Sequence, residues 1–163
     1  MNMTTNDFVY TSYIKTTPEK VWQAITNPEF TRQYWGGENK SDWKKGSQWH
    51  HTSIDEARNF KIAGDVLEST PPKRLVLTWP EHAEEKDKAK HSHVTFEIDA
   101  IEDLVCLKVI HSNLPSADFA NRISGGWPRV LSSMKSLLET GKALNTFAGH
   151  ASCANPAHKE AAA

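Results

Sequence analysis

The sequence predicts an α+β fold, in which one long amphipathic helix packs across a mostly antiparallel β-sheet. Apolar residues recur at helical spacing near the C-terminus, while the middle of the chain is a series of alternating segments joined by short turns. Two short helical segments follow the first strand. A helix lying across a curved sheet encloses a space, and this space is the first candidate for a functional site.

The long helix is indicated by an apolar stripe between Ser124 and Gly141. Pro128 is expected in the first turn, where a proline is tolerated, so we expect Gly125 and Gly126 to open the helix. Gly141 is expected at the left-handed position that ends a helix. The stripe, spaced at i, i+3, i+4, i+7, i+10 and i+11, consists of Trp127, Val130, Leu131, Met134, Leu137 and Leu138.

The N-terminal part predicts one strand and two short helices. The segment from Phe8 to Ile14 is rich in aromatic and β-branched residues, as strands are. Either Thr16 or Thr17 can cap the first helix, because a capping-box glutamate and a first-turn proline follow. The second helix follows Asn27–Pro28 and is stopped by Gly36–Gly37.

The remaining strands are expected to form an antiparallel meander, because short turns join them. A charge-dense stretch from Glu81 to Lys90 is expected to be a solvated loop. We assign residues 7–144 to one domain and expect residues 145–163 to be a flexible tail. The expected strands are Ser47–Ser53, Phe60–Leu67, Arg74–Trp79, Ser92–Ile98 and Leu104–His111.

Composition narrows the classes of function. Of the 163 residues, 24% are charged and the formal net charge is -1, so no basic field attracts nucleic acid or an acidic membrane. No apolar run approaches the length needed to span a bilayer, and no secretory signal is visible. Cys106 and Cys153 lie in unlike contexts, which argues against a structural disulfide. These features predict a cytoplasmic protein that is a monomer or a weak homodimer.

Strand alternation places several apolar rows on the face that meets the helix. These side chains either interlock as a close-packed core or line a cavity for a small apolar or aromatic ligand. The candidate ligand-contacting residues are Trp35, Trp49, His51, Phe60, Ile62, Leu77, Trp79, Phe96, Leu107, Val109, His111, Trp127, Leu131 and Met134.

The histidines do not predict a metal site. His93 belongs to the outer face of its strand while His111 points inward, so the two diverge. His111 and His51 are candidates to orient a ligand or to act as a base, and the alternative is a structural hydrogen bond. The sequence shows neither a nucleophile with its base nor a phosphate-binding loop. We predict no metal, no cofactor and no catalytic residue.

A set of short motifs, in order, resembles one family. The chain is similar to the SRPBCC superfamily, also called START-like or Bet v 1-like, in the branch of the C-terminal domain of activators of heat-shock protein 90 ATPase. The resemblance covers about residues 7–144. Its pieces are Thr17–Glu29, Tyr34–Gly36, Asp42–Gly46, Gly64–Glu68, Pro71–Leu75, Val94–Phe96, Gly125–Pro128 and Leu137–Gly141.

This resemblance implies a helix-grip fold with a hydrophobic cavity between sheet and helix. Binding of a lipid-like or polyketide-like aromatic molecule is the function we expect from it. One scaffold hosts several functions, so two alternatives stay open. One is a co-chaperone-like interaction module, although the eukaryotic activators carry a further N-terminal domain for which the residues before Phe8 leave no room. The other is a cyclase or dehydratase that uses the same cavity.

Overall fold

The structure is a computed structural model that describes residues 7–55, 61–82 and 85–146. It confirms the predicted α+β fold, in which a curved antiparallel sheet holds a long C-terminal helix and two short helices follow the first strand. The strands are β1 (Phe8–Ile14), β2 (Gly37–Lys40), β3 (Gln48–Ser53), β4 (Lys61–Thr70), β5 (Arg74–Trp79), β6 (Ser92–Ile101) and β7 (Leu104–Ser112). The α-helices are α1 (Pro18–Thr26), α2 (Pro28–Tyr34) and α3 (Ala117–Thr140), and a 3-10 turn spans Lys88–Lys90.

The sheet is a meander from β2 to β7, and β1 completes it by pairing with β7. The spatial order is β1-β7-β6-β5-β4-β3-β2, with every neighbouring pair antiparallel. The predicted meander is therefore confirmed. Strand bounds differ mainly in β4, which continues to Thr70 beyond the predicted end at Leu67, and in β6, which continues to Ile101 beyond the predicted end at Ile98. Phe60 and most of the predicted tail lie outside the described residues.

Helices α1 and α2 begin at side-chain caps and are locked to each other. Thr17 Oγ1 accepts from the Lys20 amide at 3.4 Å, so Thr17 is the cap and the alternative, Thr16, is wrong. Asn27 caps α2 in the same way. The buried Tyr34 hydroxyl donates to the Ala24 carbonyl oxygen at 2.8 Å, which fixes the angle between the two helices.

Strand β2 was not predicted, because its sequence, Gly-Glu-Asn-Lys, has no apolar alternation. Hydrogen bonds to the two short helices hold it instead. The Asn39 amide donates to Thr31 Oγ1 at 3.0 Å, and its side-chain nitrogen donates to the Ile25 carbonyl at 2.9 Å. Asn39 is buried, so these bonds satisfy polar groups that would otherwise be costly. They also fix the orientation of the Asn39 side-chain amide, whose oxygen contacts His51.

The start of α3 corrects the sequence prediction. The helix begins at Ala117, where Ser116 Oγ accepts from the Phe119 amide at 3.1 Å, and not near Gly125. Pro128 is therefore in the interior of the helix. A glycine in a helix interior costs about 1 kcal/mol relative to alanine, and a proline about 3 kcal/mol. The Ser116 cap and the burial of Phe119 extend the helix across this unfavourable stretch.

The core fills most of the space between α3 and the sheet. The predicted stripe is confirmed from Trp127 to Leu137, and Leu138 is half-buried at its edge. Gly141 ends the helix with φ of 79°, as predicted. Leu131 and Met134, both almost fully buried, belong to one cluster with the inward rows of β5, β6 and β7. None of the helices in the described ranges is long and apolar enough to cross a membrane.

Candidate functional site

A cavity of about 320 Å³ remains where the first half of α3 meets the ends of β3, β4 and β5. The second half of α3 buries its apolar stripe in the core, whereas Phe119 is the buried residue of the stretch from 117 to 126. The cavity is lined by Trp35, Gly36, His51, Ser53, Ile62, Trp79, Pro80, Glu81, Phe119, Arg122, Ile123, Gly126, Trp127 and Val130.

Three indoles form the apolar wall of the cavity. Trp35 follows α2, Trp79 ends β5 and Trp127 lies in α3, so three separate elements bring them together. The rings of Trp35 and Trp79 are stacked at 18° with centroids 6.1 Å apart. The Trp127 ring is tilted by 60° and 58° to them, at 5.5 and 5.4 Å. Such a wall offers flat apolar surface to a planar ligand.

A chain of hydrogen bonds behind this wall ties the Trp127 indole to the backbone of Trp79. Trp127 Nε1 donates to His111 Nδ1 at 3.1 Å, since an indole nitrogen can only donate. His111 therefore carries its proton on Nε2 and donates to Ser92 Oγ at 2.7 Å, and Ser92 Oγ donates to the Trp79 carbonyl at 2.6 Å. His111 is fully buried, and burial, with a smaller effect of His93, lowers its pKa to about 3. It is a positioning residue for the wall.

His51 is the buried polar group of the cavity lining. Its Nδ1 lies 2.6 Å from Asn39 Oδ1, and the Asn39 amide nitrogen donates to Ile25, so His51 Nδ1 is the donor in this contact. Burial lowers the pKa of His51 from 6.5 to about 4. A β-carbon on Gly37 would lie 2.5 Å from His51 Nε2, so glycine is needed for the ring to lie against β2.

An ion pair lies at the edge of the cavity. Arg122 of α3 donates to Glu81 Oε1 at 2.5 Å, which joins the helix to the segment after β5. The guanidinium carbon also lies 5.6 Å from the centroid of the Phe119 ring, over its face. The charged groups of the site are thus at its rim, and the interior is aromatic and uncharged.

The structure divides the predicted site residues into two groups. Trp35, His51, Ile62, Trp79 and Trp127 line the cavity. The structure places the others in the close-packed core, apart from Phe60, which lies outside the described residues. These core residues are Trp49, Leu77, Phe96, Leu107, Val109, His111, Leu131 and Met134.

Five of the nine lining residues that sequence reasoning missed belong to α3. Phe119, Arg122 and Ile123 precede the glycine pair that was expected to open the helix. Their spacing of i, i+3, i+4 is a helical signal, but the helix was expected to begin only at Gly125 and Gly126. Glu81 was assigned to a solvated loop because of its charged neighbours.

The Ser92–His111 pair near the cavity is arranged as a structural contact. Ser92 and His111 are as close as a nucleophile and its base, yet His111 donates to Ser92, which is the reverse of general-base catalysis. Ser92 is fully buried and Trp79 lies between the pair and the cavity. Within residues 7–55, 61–82 and 85–146, no three His, Cys, Asp or Glu side chains converge to hold a metal ion.

A family model decides the relationship. The model described as "Activator of Hsp90 ATPase homolog 1-like protein" matches residues 15–139. The chain belongs to this family. The resemblance drawn from the ordered motifs is thereby confirmed, including its SRPBCC-type, Bet v 1-like fold. No curated protein matches the chain with significance.

Solved structures share the fold of this family member. The Aha1 dimer from Colwellia psychrerythraea has a TM-score of 0.71 and 22% identity, over 85% of this chain and 99% of that one. An Hsp90 activator from Plasmodium falciparum has a TM-score of 0.66 and 24% identity, over 81% and 95%. DynU16, a protein of the dynemicin biosynthetic locus, has a TM-score of 0.69 and 18% identity, over 84% and 48%.

Proposed function

We propose that this protein binds a small, uncharged, planar aromatic molecule in the cavity between the sheet and α3. The observation that carries the proposal is the wall of Trp35, Trp79 and Trp127 along a partly open cavity of about 320 Å³. Burial of apolar ligand surface, at about 25 cal/mol per Å², would drive binding. The cytoplasm is the proposed location.

The polarity of the lining favours an uncharged ligand. His51 is held neutral by burial, so a carboxylate placed beside it would meet no cation. Arg122, at the rim, already pairs with Glu81. His51 is the buried polar side chain in a mostly apolar lining, which favours a ligand whose surface is largely apolar.

Binding is tested by a screen of thermal unfolding and tryptophan fluorescence against flavonoids, aromatic polyketides, fatty acids and sterols. A ligand that binds only the folded state raises the melting temperature, with about 2.7 kcal/mol gained at a hundredfold excess over Kd. We expect a saturable rise with planar aromatics, together with altered indole emission. No response from any class would contradict the proposal.

A matched pair of glycines localises the binding. Gly126 lines the cavity and Gly125 does not, and a β-carbon at either position meets open space. Gly126→Leu is expected to fill the cavity and weaken binding at least tenfold, whereas Gly125→Leu should bind like the wild type. Both variants gain helix propensity, so stability is matched. Equal affinities of the two variants would place the ligand elsewhere.

A second candidate function is contact with an Hsp90-type chaperone. It is favoured by the family description and by the fold shared with an Hsp90 activator. The exposed Val9 and Tyr13 on the edge strand β1 are the surface that such a contact would use. Co-purification with a chaperone that Val9→Asp abolishes and Gly126→Leu leaves intact would support this candidate.

A further inference from the structure

The first half of α3 is less firmly held than the second half. Between Ala117 and Gly126, Phe119 alone is buried, whereas the segment after Trp127 buries a continuous stripe. The two halves meet at Gly125-Gly126-Trp127-Pro128, where glycines weaken the helix and proline cannot donate to the Ser124 carbonyl. The same first half forms one wall of the cavity.

Phe119 and Arg122 make specific contacts that hold this half on the body of the protein, beside the partly buried Ile123. Phe119 packs edge-on against His111, with ring centroids 5.4 Å apart. Arg122, one turn later, pairs with Glu81 across the rim of the cavity. Arg122 is 59% exposed, so the ion pair is weak and sensitive to salt.

We propose that Ala117–Gly126 is a lid that opens at the Gly-Gly-Trp-Pro junction and admits ligand to the cavity. Opening breaks the Arg122–Glu81 pair and withdraws Phe119, while the second half of α3 stays in the core. A helix of this length is unstable alone in water, so the detached lid also unwinds. The role in ligand entry rests on the proposed binding function; the motion itself does not.

Native-state hydrogen exchange of the whole protein, without ligand, tests the motion. The amides of residues 121–127 are expected to exchange at least tenfold faster than those of residues 130–138, with an abrupt step at Pro128. Ordinary fraying would instead give protection that rises gradually along the helix. A gradual rise, or uniform protection along the helix, would contradict the proposed opening of Ala117–Gly126.

Two variants separately test the Gly-Gly-Trp-Pro junction and the Arg122–Glu81 ion pair. The methyl group of Gly125→Ala points into open space, so this variant changes helix propensity alone. The amides of residues 121–127 are expected to exchange about fivefold more slowly in it. Glu81→Gln should speed that exchange about twofold to threefold. Glu139→Gln, which breaks the Lys135 ion pair in the second half, is the matched control and should leave residues 121–127 unchanged.

Stopped-flow binding of the uncharged fluorescent probe N-phenyl-1-naphthylamine then separates the lid from the proposed function. Slower association in Gly125→Ala and faster association in Glu81→Gln would support control of entry by the lid. Association rates equal to wild type in both variants would overturn that control. An exchange step with no binding of this probe or of any ligand in the screen would support the motion while contradicting the proposed function.

Discussion

Lowering the pH from 7 to 5 is expected to reduce the free energy of unfolding by about 4 kcal/mol, about 2 kcal/mol for each of two buried histidines. Burial lowers the pKa of His51 from 6.5 to about 4 and that of His111 to about 3. As the pH falls below 6.5, both histidines become protonated in the unfolded chain but stay neutral in the folded protein. Stability is therefore full above pH 7 and is lost progressively down to pH 4 and below.

Urea unfolding at pH 7 and at pH 5 measures this loss. His51→Gln and His111→Gln should each remove about half of the difference between the two pH values, even where they lower stability at both. The free energy of unfolding of each variant is compared between the two pH values. A general loss of packing lowers both values equally and therefore leaves their difference unchanged. Imidazole resonances of both histidines that titrate above pH 6 in the folded protein would contradict the account.

Replacing Gly64 by alanine is expected to destabilise the protein by about 3 kcal/mol, through overpacking and a lost buried hydrogen bond. A β-carbon on Gly64 would overlap the Thr78 carbonyl oxygen and lie 2.7 Å from Trp49 Nε1. Trp49 Nε1 donates to that same carbonyl at 3.0 Å, and both partners are buried. The methyl group therefore forces β4 and β5 apart and separates this donor from its acceptor.

Gly125→Ala is the control for Gly64→Ala, since it adds the same methyl group in open space. It should stabilise the protein by up to about 1 kcal/mol, because alanine is the better helix former. Chemical unfolding of the two variants beside the wild type measures both changes. A Gly64→Ala variant as stable as the wild type would show that the strands separate there without cost.

The fold was predictable because its signals were periodic. The α3 stripe from Trp127 onward and the alternation in β5 to β7 follow directly from burial on one face. Strand β2 carried no such signal, since Asn39 holds it through hydrogen bonds to residues distant in sequence. The beginning of α3 was misplaced because Gly125, Gly126 and Pro128 disfavour a helix locally, and tertiary packing of Phe119 overrides them.

The site was predictable only in part, because alternation shows which face a residue occupies and not how deep it lies. Trp49 and Trp79 both lie on the inner face of the sheet, yet Trp79 borders the cavity. Trp49 is fully buried, and its indole donates to the Thr78 carbonyl. His111 was correctly placed inward, and only the structure shows both its nitrogens engaged with Trp127 and Ser92. Depth depends on the curvature of the sheet, which the pattern does not encode.

The most direct test of the central claim is a titration of a ligand from the screen followed by NMR of the indole N–H signals. The indoles of Trp35, Trp79 and Trp127 line the cavity, whereas Trp22 and Trp43 pack at other positions on the core. Binding in the cavity predicts that the signals of the first three tryptophans shift together with one Kd while those of Trp22 and Trp43 stay in place. A saturable shift confined to Trp22 or Trp43, or no shift in the three cavity indoles, would contradict it.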